Sequence, residues 1–366
     1  SISAEVCPEI REYERFTTTV ANAYVRPLMA RYLARLRDRM AAMGVDCPVL
    51  LMTSGGGLTT LENAMQFPIR LVESGPAGGA ILATKIAKEM QMDKVISFDM
   101  GGTTAKICLI GDYRPQTARE FEVDRAARFT KGSGMPLRIP VIEMVEIGAG
   151  GGSIARLDAL NRITIGPDSA GADPGPAAYG RGGEKPTITD ADVALGKIDP
   201  GSFAGGKVAL YPEKSESAIM ADVGTPLGVA DVLTAAYGIT EMVDETMSNA
   251  ARVHAVEQGK AANQHSLIAF GGAAPLHAGR LAEKLGIDRI VVPTDAGVGS
   301  AVGFLEAPIA YEVVRSRNMR LAAFDPGTIN ELMDGMRAEA EAVIRAAVPS
   351  GDLIERRVAF MRYVGQ

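Results

Sequence analysis

Five residues that suit one kind of chemistry stand together in the string Phe98-Asp99-Met100-Gly101-Gly102-Thr103-Thr104. An acid, two glycines and two hydroxyls in this order fit a magnesium-bound polyphosphate. Gly101 and Gly102 let backbone N–H groups approach phosphate oxygens, Thr103 and Thr104 add donors, and Asp99 can hold Mg²⁺ directly or through water. The same string also suits a plain hairpin turn. It is not a Walker loop, because no G-x-x-x-x-G-K-[ST] is present. Lys106, two residues past Thr104, shares a strand face with it and is either a phosphate contact or an ordinary solvated lysine.

Further candidates lie downstream. Glu146 borders Gly148-Ala149-Gly150-Gly151-Gly152-Ser153, where Gly150 and Gly151 would present consecutive N–H groups as an anion nest, or form only a structural turn. Gly271 and Gly272 repeat the glycine pattern after another apolar run. Asp173, Asp190 and Asp192 are possible metal or substrate ligands, although Asp190 and Asp192 also fit a helix N-terminus, where acids are favoured. Ser74 reads as a helix N-cap. His254, His265 and His277 lack zinc-site spacing, and of the three only His277, a turn or so past Gly271-Gly272, could reach a ligand there.

These groups need elements to hold them. Residues 94–98 and 105–110 read as two strands of a hairpin whose tip carries the glycines. Residues 266–270 form a strand entering Gly271-Gly272 and a helix at about 276–285; a strand at 289–292 precedes a small-residue helix at 297–303. Upstream, a helix over 11–43 aligns Tyr13, Val20, Tyr24, Leu28, Tyr32 and Leu36 near one face and stops at Gly44, with Arg31, Arg35, Arg37 and Arg39 on a solvated face. A strand at 48–52 follows, then a helix from Ser74 to about Met90. Residues 226–260 read as a long helix interrupted near Gly238, and the chain closes with a helix at 328–347 and a strand from about Arg356.

Composition narrows the class. Of 366 residues 41 are glycine, above the usual share of about 7%, which points to many turns and close backbone approaches. The net charge of −6 without any Lys/Arg block argues against nucleic acid and anionic membranes as partners. Cys7, Cys47 and Cys108 are too scattered for a disulfide framework, and no apolar run is long enough to span a bilayer, so a reducing, cytoplasmic setting is expected. Ser1 is not Met and the last residues read as a strand cut short, so a fragment is expected.

The order of a small-residue helix, the Asp99 hairpin, a strand–Gly-Gly–helix unit and a second small-residue helix resembles the actin, heat-shock-protein-70 and sugar-kinase superfamily. That resemblance implies an α/β, actin-like (ribonuclease-H-like) ATPase fold whose two small-residue helices cross at the hinge. A narrower resemblance rests on Pro8-Glu9-Ile10-Arg11-Glu12-Tyr13-Glu14-Arg15, Ser74-Gly75-Pro76-Ala77-Gly78, the 146–153 string, Ala170-Gly171-Ala172-Asp173-Pro174-Gly175-Pro176-Ala177 and Ala269-Phe270-Gly271-Gly272. These look like the hydantoinase A / 5-oxoprolinase family, whose relatives include acetone and acetophenone carboxylase subunits, with matches from Ser1 to about Phe304.

The resemblance implies ATP and Mg²⁺ as cofactors, a cyclic amide as substrate and a hydantoinase B-type partner subunit. Asp99 would organise the metal, Gly101, Gly102, Thr103 and Thr104 would hold phosphates, Gly271 and Gly272 would flank adenosine, and Glu146 with Gly150 and Gly151 would border the acceptor. Segments 1–93, 94–310 (with an insertion at about 140–262) and 311–366 would be the end of a first, incomplete subdomain, the second subdomain and a further α/β region. The family's hairpin commonly continues with a carboxylate where Lys106 stands. An ATP-dependent ketone carboxylase subunit and a non-catalytic nucleotide-responsive module are the alternatives.

Overall fold

A computed structural model describes residues 1–123 and 132–364. The chain forms two compact units: one comprises Ser1–Ala77, Thr117–Ile142 and Ala307–Gln366, the other Gly78–Gln116 and Glu143–Glu306.

In the first unit the long helix α1 (Glu12–Ala42) forms as expected, but its apolar stripe is not its packing face. Tyr13, Val20, Tyr24, Leu28 and Tyr32 are exposed, while Thr18, Asn22 and Leu33 are buried. The packed side satisfies the backbone of neighbouring segments instead. The Thr18 hydroxyl accepts from the Arg138 N–H at 2.8 Å, and the Asn22 side chain accepts from the Ile69 N–H at 3.2 Å and donates to the Gln66 carbonyl at 3.2 Å. A buried amide group without a partner is costly, which explains why polar side chains sit inward here. The expected short strand is Leu50–Met52, paired with Leu58–Thr60. A helix spans Pro326–Ala347, and the strand expected from Arg356 is absent among the described residues up to 364.

The second unit is built on a six-stranded sheet. Its strands include β1 (Lys94–Met100), β2 (Ala105–Gly111), β3 (Met144–Ile147), β4 (Ser266–Phe270) and β5 (Ile290–Val291), in the order β3-β2-β1-β4-β5 with Arg114–Pro115 on β2. β1 runs antiparallel to β2 and parallel to β4. Nearly every residue of β1 is buried, as strands covered on both faces require.

The helices of this unit that bear on the site are α2 (Ser74–Glu89, counted from Gly78), α3 (Ile188–Ala194), α4 (Val232–Glu257), α5 (Ala274–Leu285) and α6 (Gly299–Glu306). Ser74 is the first residue of α2, where an N-cap was expected one residue outside it, and α4 runs through Gly238 without the expected break. Ile96, Phe98, Ile107, Ile147, Val243 and Leu281 share the main core. Alternation therefore places Val95, Ser97 and Asp99 on the opposite face of β1. On that face the two small-residue helices cross: a Cβ on Gly303 would lie 1.8 Å from the Gly78 carbonyl oxygen, and one on Gly79 would lie 2.5 Å from the Phe270 ring.

Candidate functional site

Asp99, Lys106 and Glu146 form one row across three strands. Register pairs Asp99 with Lys106 between β1 and β2, and Lys106 with Glu146 between β2 and β3. Cross-strand partners share a face, so the three charges alternate in sign along the sheet. The Lys106 ammonium donates to the Thr104 hydroxyl at 2.7 Å and meets the Glu146 carboxylate at 2.9 Å. It is therefore a held charge, not the freely solvated lysine that was one expectation. Burial pushes the Asp99 carboxyl above the usual aspartate range, opposed by a hydrogen bond from Ser300 and by the Lys106 charge. The Ser300 hydroxyl, on α6, donates to Asp99 Oδ2 at 2.9 Å.

The hairpin tip past Asp99 is open. The Gly101 N–H closes the turn onto the Thr104 carbonyl at 3.1 Å, and a Cβ built on Gly101 or Gly102 would meet nothing within 4 Å. Gly102 and Thr103 are exposed, and among the described residues their N–H groups have no hydrogen-bond partner. Two free amides and the Thr103 hydroxyl are suited to an anionic oxygen. Among the described residues no three His, Cys, Asp or Glu side chains gather to hold a metal. A Mg²⁺ at Asp99 would thus take one carboxylate and draw its remaining oxygens from phosphates and water, which is how this ion is commonly held; the residues present fit it.

Of the two readings of the glycine loop at 148–153, an anion nest or a structural turn, its hydrogen bonds agree with the turn. Gly150 donates to the Ser153 hydroxyl at 2.9 Å, Gly151 to the Gly101 carbonyl at 3.0 Å and Gly152 to the Gly102 carbonyl at 2.7 Å. All three N–H groups are consumed and all three residues are buried. Gly150 lies directly on the hairpin backbone, where a Cβ would come within 2.5 Å of Thr103 N and C. Gly150 and Gly151 therefore brace the hairpin from behind. Glu146, exposed at the loop's edge, is tied to Lys106.

Gly271 is required by geometry. Its φ is +97°, and a Cβ would stand 2.5 Å from both Asp99 Oδ1 and the Met100 carbonyl oxygen. The turn it makes brings the Ala273 N–H to the Met100 carbonyl at 2.9 Å, while Gly272 is exposed with open space around it. Gly101, Gly102, Thr103, Asp99 and the 271–272 turn are thereby brought together at one end of the sheet.

The other acids are accounted for differently. Asp190 closes a capping box with Thr187 at the start of α3, and its two oxygens also accept from Ala177, Ala178 and Ser215, leaving it no capacity for a metal. Asp173 is exposed on the glycine- and proline-rich loop. His277 is fully buried between Asp244, 2.8 Å from Nδ1, and Asp192, 3.2 Å from Nε2. Ser300, the Lys106–Glu146 pair and the Asp192–His277–Asp244 group were not legible beforehand as contacts. Only the alternation rule that aligned Lys106 with Thr104 hinted at any of them.

The profile of the Hydantoinase/oxoprolinase family matches residues 15–313. The alpha subunit of caprolactamase from Pseudomonas jessenii is 35% identical over 366 residues, covering 99% of this chain and 51% of that one. The 5-oxoprolinase of Saccharomyces cerevisiae is 30% identical, covering 100% of this chain and 28% of the yeast protein. The crystal structure of ATP-dependent caprolactamase from Pseudomonas jessenii superposes with a TM-score of 0.79 at 34% identity, over 96% of this chain and 50% of that chain. Nucleotide-free acetone carboxylase does so with a TM-score of 0.77 at 28% identity, over 95% and 48%. The chain thus spans about half the length of these relatives, or less. On the profile match and these identities, the chain belongs to the hydantoinase/oxoprolinase family.

Proposed function

We propose that this chain is part of an ATP-dependent enzyme that phosphorylates the carbonyl of a cyclic amide, a lactam or imide, to drive ring hydrolysis beside a hydantoinase B-type partner. The observation that carries this reading is the open Gly101-Gly102-Thr103 tip beside half-buried Asp99, in a chain 35% identical to a subunit of a caprolactamase that is ATP-dependent. An actin-like ATPase fold and a cytoplasmic setting go with the proposal. Among the described residues no helix is long and apolar enough to cross a membrane.

An unstrained amide is a poor electrophile. Transfer of the γ-phosphoryl group to its carbonyl oxygen, with ADP leaving, makes the carbon open to water and turns the oxygen into part of a phosphate leaving group. In such a reaction the protein contributes positioning and charge stabilisation. Mg²⁺, when bound, would neutralise charge on the phosphate oxygens. Asp99 would orient that ion, with Ser300 fixing the carboxylate's rotamer. The Gly102 and Thr103 amides and the Thr103 and Thr104 hydroxyls would cradle phosphate oxygens, and the Lys106 ammonium would offset their charge while Glu146 holds it in place. Gly272, bare and exposed, offers backbone against which a nucleoside can lie. Gly150 and Gly151 act here by supporting the hairpin.

Likeness to acetone carboxylase supports a second reading, in which the same phosphoryl transfer activates a ketone for carboxylation. The first test is calorimetric titration of Mg-ATP into the chain, with Asp99→Ala as control. Saturable binding abolished by the substitution supports the site; equal binding by both proteins refutes it. Turnover in a complex reconstituted with the partner subunit, with labelled bicarbonate present, then separates hydrolysis of a lactam from carboxylation of a ketone. Binding without turnover of any carbonyl compound would favour a nucleotide-responsive module.

A further inference from the structure

The hairpin is gripped from two sides, and the two grips are joined behind it. On one side α3 holds the 150–152 loop: the Thr189 N–H donates to the Gly151 carbonyl at 2.7 Å, and Gly151 and Gly152 donate to the Gly101 and Gly102 carbonyls. On the other side α5 carries the 271–273 turn, whose Ala273 N–H holds the Met100 carbonyl. The circuit closes through side chains: His277 of α5 meets Asp192 of α3 and Asp244 of α4, and Lys197 pairs with Asp192 at 3.1 Å. His277, Asp192 and Asp244 are 0%, 1% and 3% exposed at their side chains.

Burying charges so deeply is costly, and the same space filled by apolar side chains is often no less stable. What apolar packing does not give is a fixed, directional spacing between helices, whereas an imidazole bridging two carboxylates defines the separation and rotation of all three helices it joins. We infer that Asp192, His277 and Asp244 are positioning residues that set the spacing of α3 and α5 and thereby hold the Gly101-Gly102 tip and the Gly271 turn in register beside Asp99. The consequence for nucleotide rests on the function proposed above; the consequence for the loops does not.

The test compares amide hydrogen exchange in the chain and in His277→Gln, which keeps polar atoms but no imidazolium. Exchange is expected to accelerate by about tenfold or more at Gly151, Gly152, Thr189 and Ala273 while the β1 and β4 ladder amides keep their protection. A parallel titration with Mg-ATP is expected to show a comparable loss of affinity. Asp244→Asn keeps a hydrogen-bonding group beside His277 and removes only a charge; it should show a smaller version of the same pattern and serves in place of His277→Gln if that variant does not fold. Unchanged exchange at the four amides, or an equal rise at every amide of the unit, would overturn the inference, the second result marking a merely structural core group. Local acceleration with unaltered Mg-ATP affinity would uphold the positioning of the loops and remove its role in binding. If the parent chain itself takes no Mg-ATP, the proposed function is what fails, and the exchange comparison still decides this one.

Discussion

At the scale of single residues, the role proposed for Asp99 stands against stability. Its carboxyl is pushed up by burial, so ionisation at neutral pH works against the folded state; the gain from keeping it neutral is lost as the pH rises through its raised pKa. Asp99→Asn, which can still accept from Ser300, is therefore expected to raise the thermal midpoint at pH 7 while abolishing Mg-ATP binding, as unfolding scans and calorimetry would register. A midpoint that falls would show that the carboxylate is not under strain. Gly271 is the other sensitive position, since alanine there meets both a φ of +97° and the Asp99 carboxylate. Gly271→Ala is expected to cost about 1–3 kcal/mol in denaturant unfolding and to weaken Mg-ATP binding, because both the Asp99 carboxylate and the Met100 carbonyl, each 2.5 Å from the added methyl, must move.

Elements determine how closely such residues can approach. α2 and α6 touch backbone to backbone at Gly78 and Gly303, and no rotamer relieves a Cβ placed 1.8 Å from a carbonyl oxygen. Gly303→Ala should destabilise the unit by about 3 kcal/mol or more. Gly279→Ala on α5 is the control, because nothing lies within 4 Å of its Cβ; there the substitution should stabilise by about 0.5–1 kcal/mol. Equal effects at the two positions in urea unfolding would mean that the helix crossing is looser than the structure has it. The hairpin, the glycine turns and the small-residue helices were legible in the sequence because each is local: tight turns and close approaches demand glycine at the position itself. The packing face of α1 was not legible. An apolar stripe on a helix tells which side is apolar, whereas the side that packs was chosen by unsatisfied backbone at Ile69, Gln66 and Arg138, far away in sequence.

At the scale of the molecule, charge buried at His277 ties the second unit to pH. Burial alone would lower its pKa, but hydrogen bonds to Asp192 and Asp244 outweigh that and raise it from 6.5 to about 9. A raised histidine stabilises fully below its unfolded value and loses the contribution as the pH climbs from 6.5 through about 9, here at most about 3 kcal/mol. The groups facing it are Asp192 with its partner Lys197, and Asp244; Arg280 and Lys284 on the same helix engage Glu241, Glu245 and Glu283 instead. Thermal unfolding from pH 6 to 10 should show this decline, and His277→Gln should flatten it; parallel curves for the two proteins would exclude His277 as the source. By itself the sequence determined the family, the Asp99 hairpin and the positions of the glycine turns, because short strings of glycine, acid and hydroxyl carry their geometry with them. Only the tertiary structure decided that Ser300 caps Asp99 from 201 residues away, that Glu146 holds Lys106, that the Gly150 and Gly151 N–H groups are spent on Ser153 and the hairpin, and that His277 bridges Asp192 and Asp244. Those are contacts between distant segments, and sheet register and helix packing, which local residue preferences do not encode, bring them together.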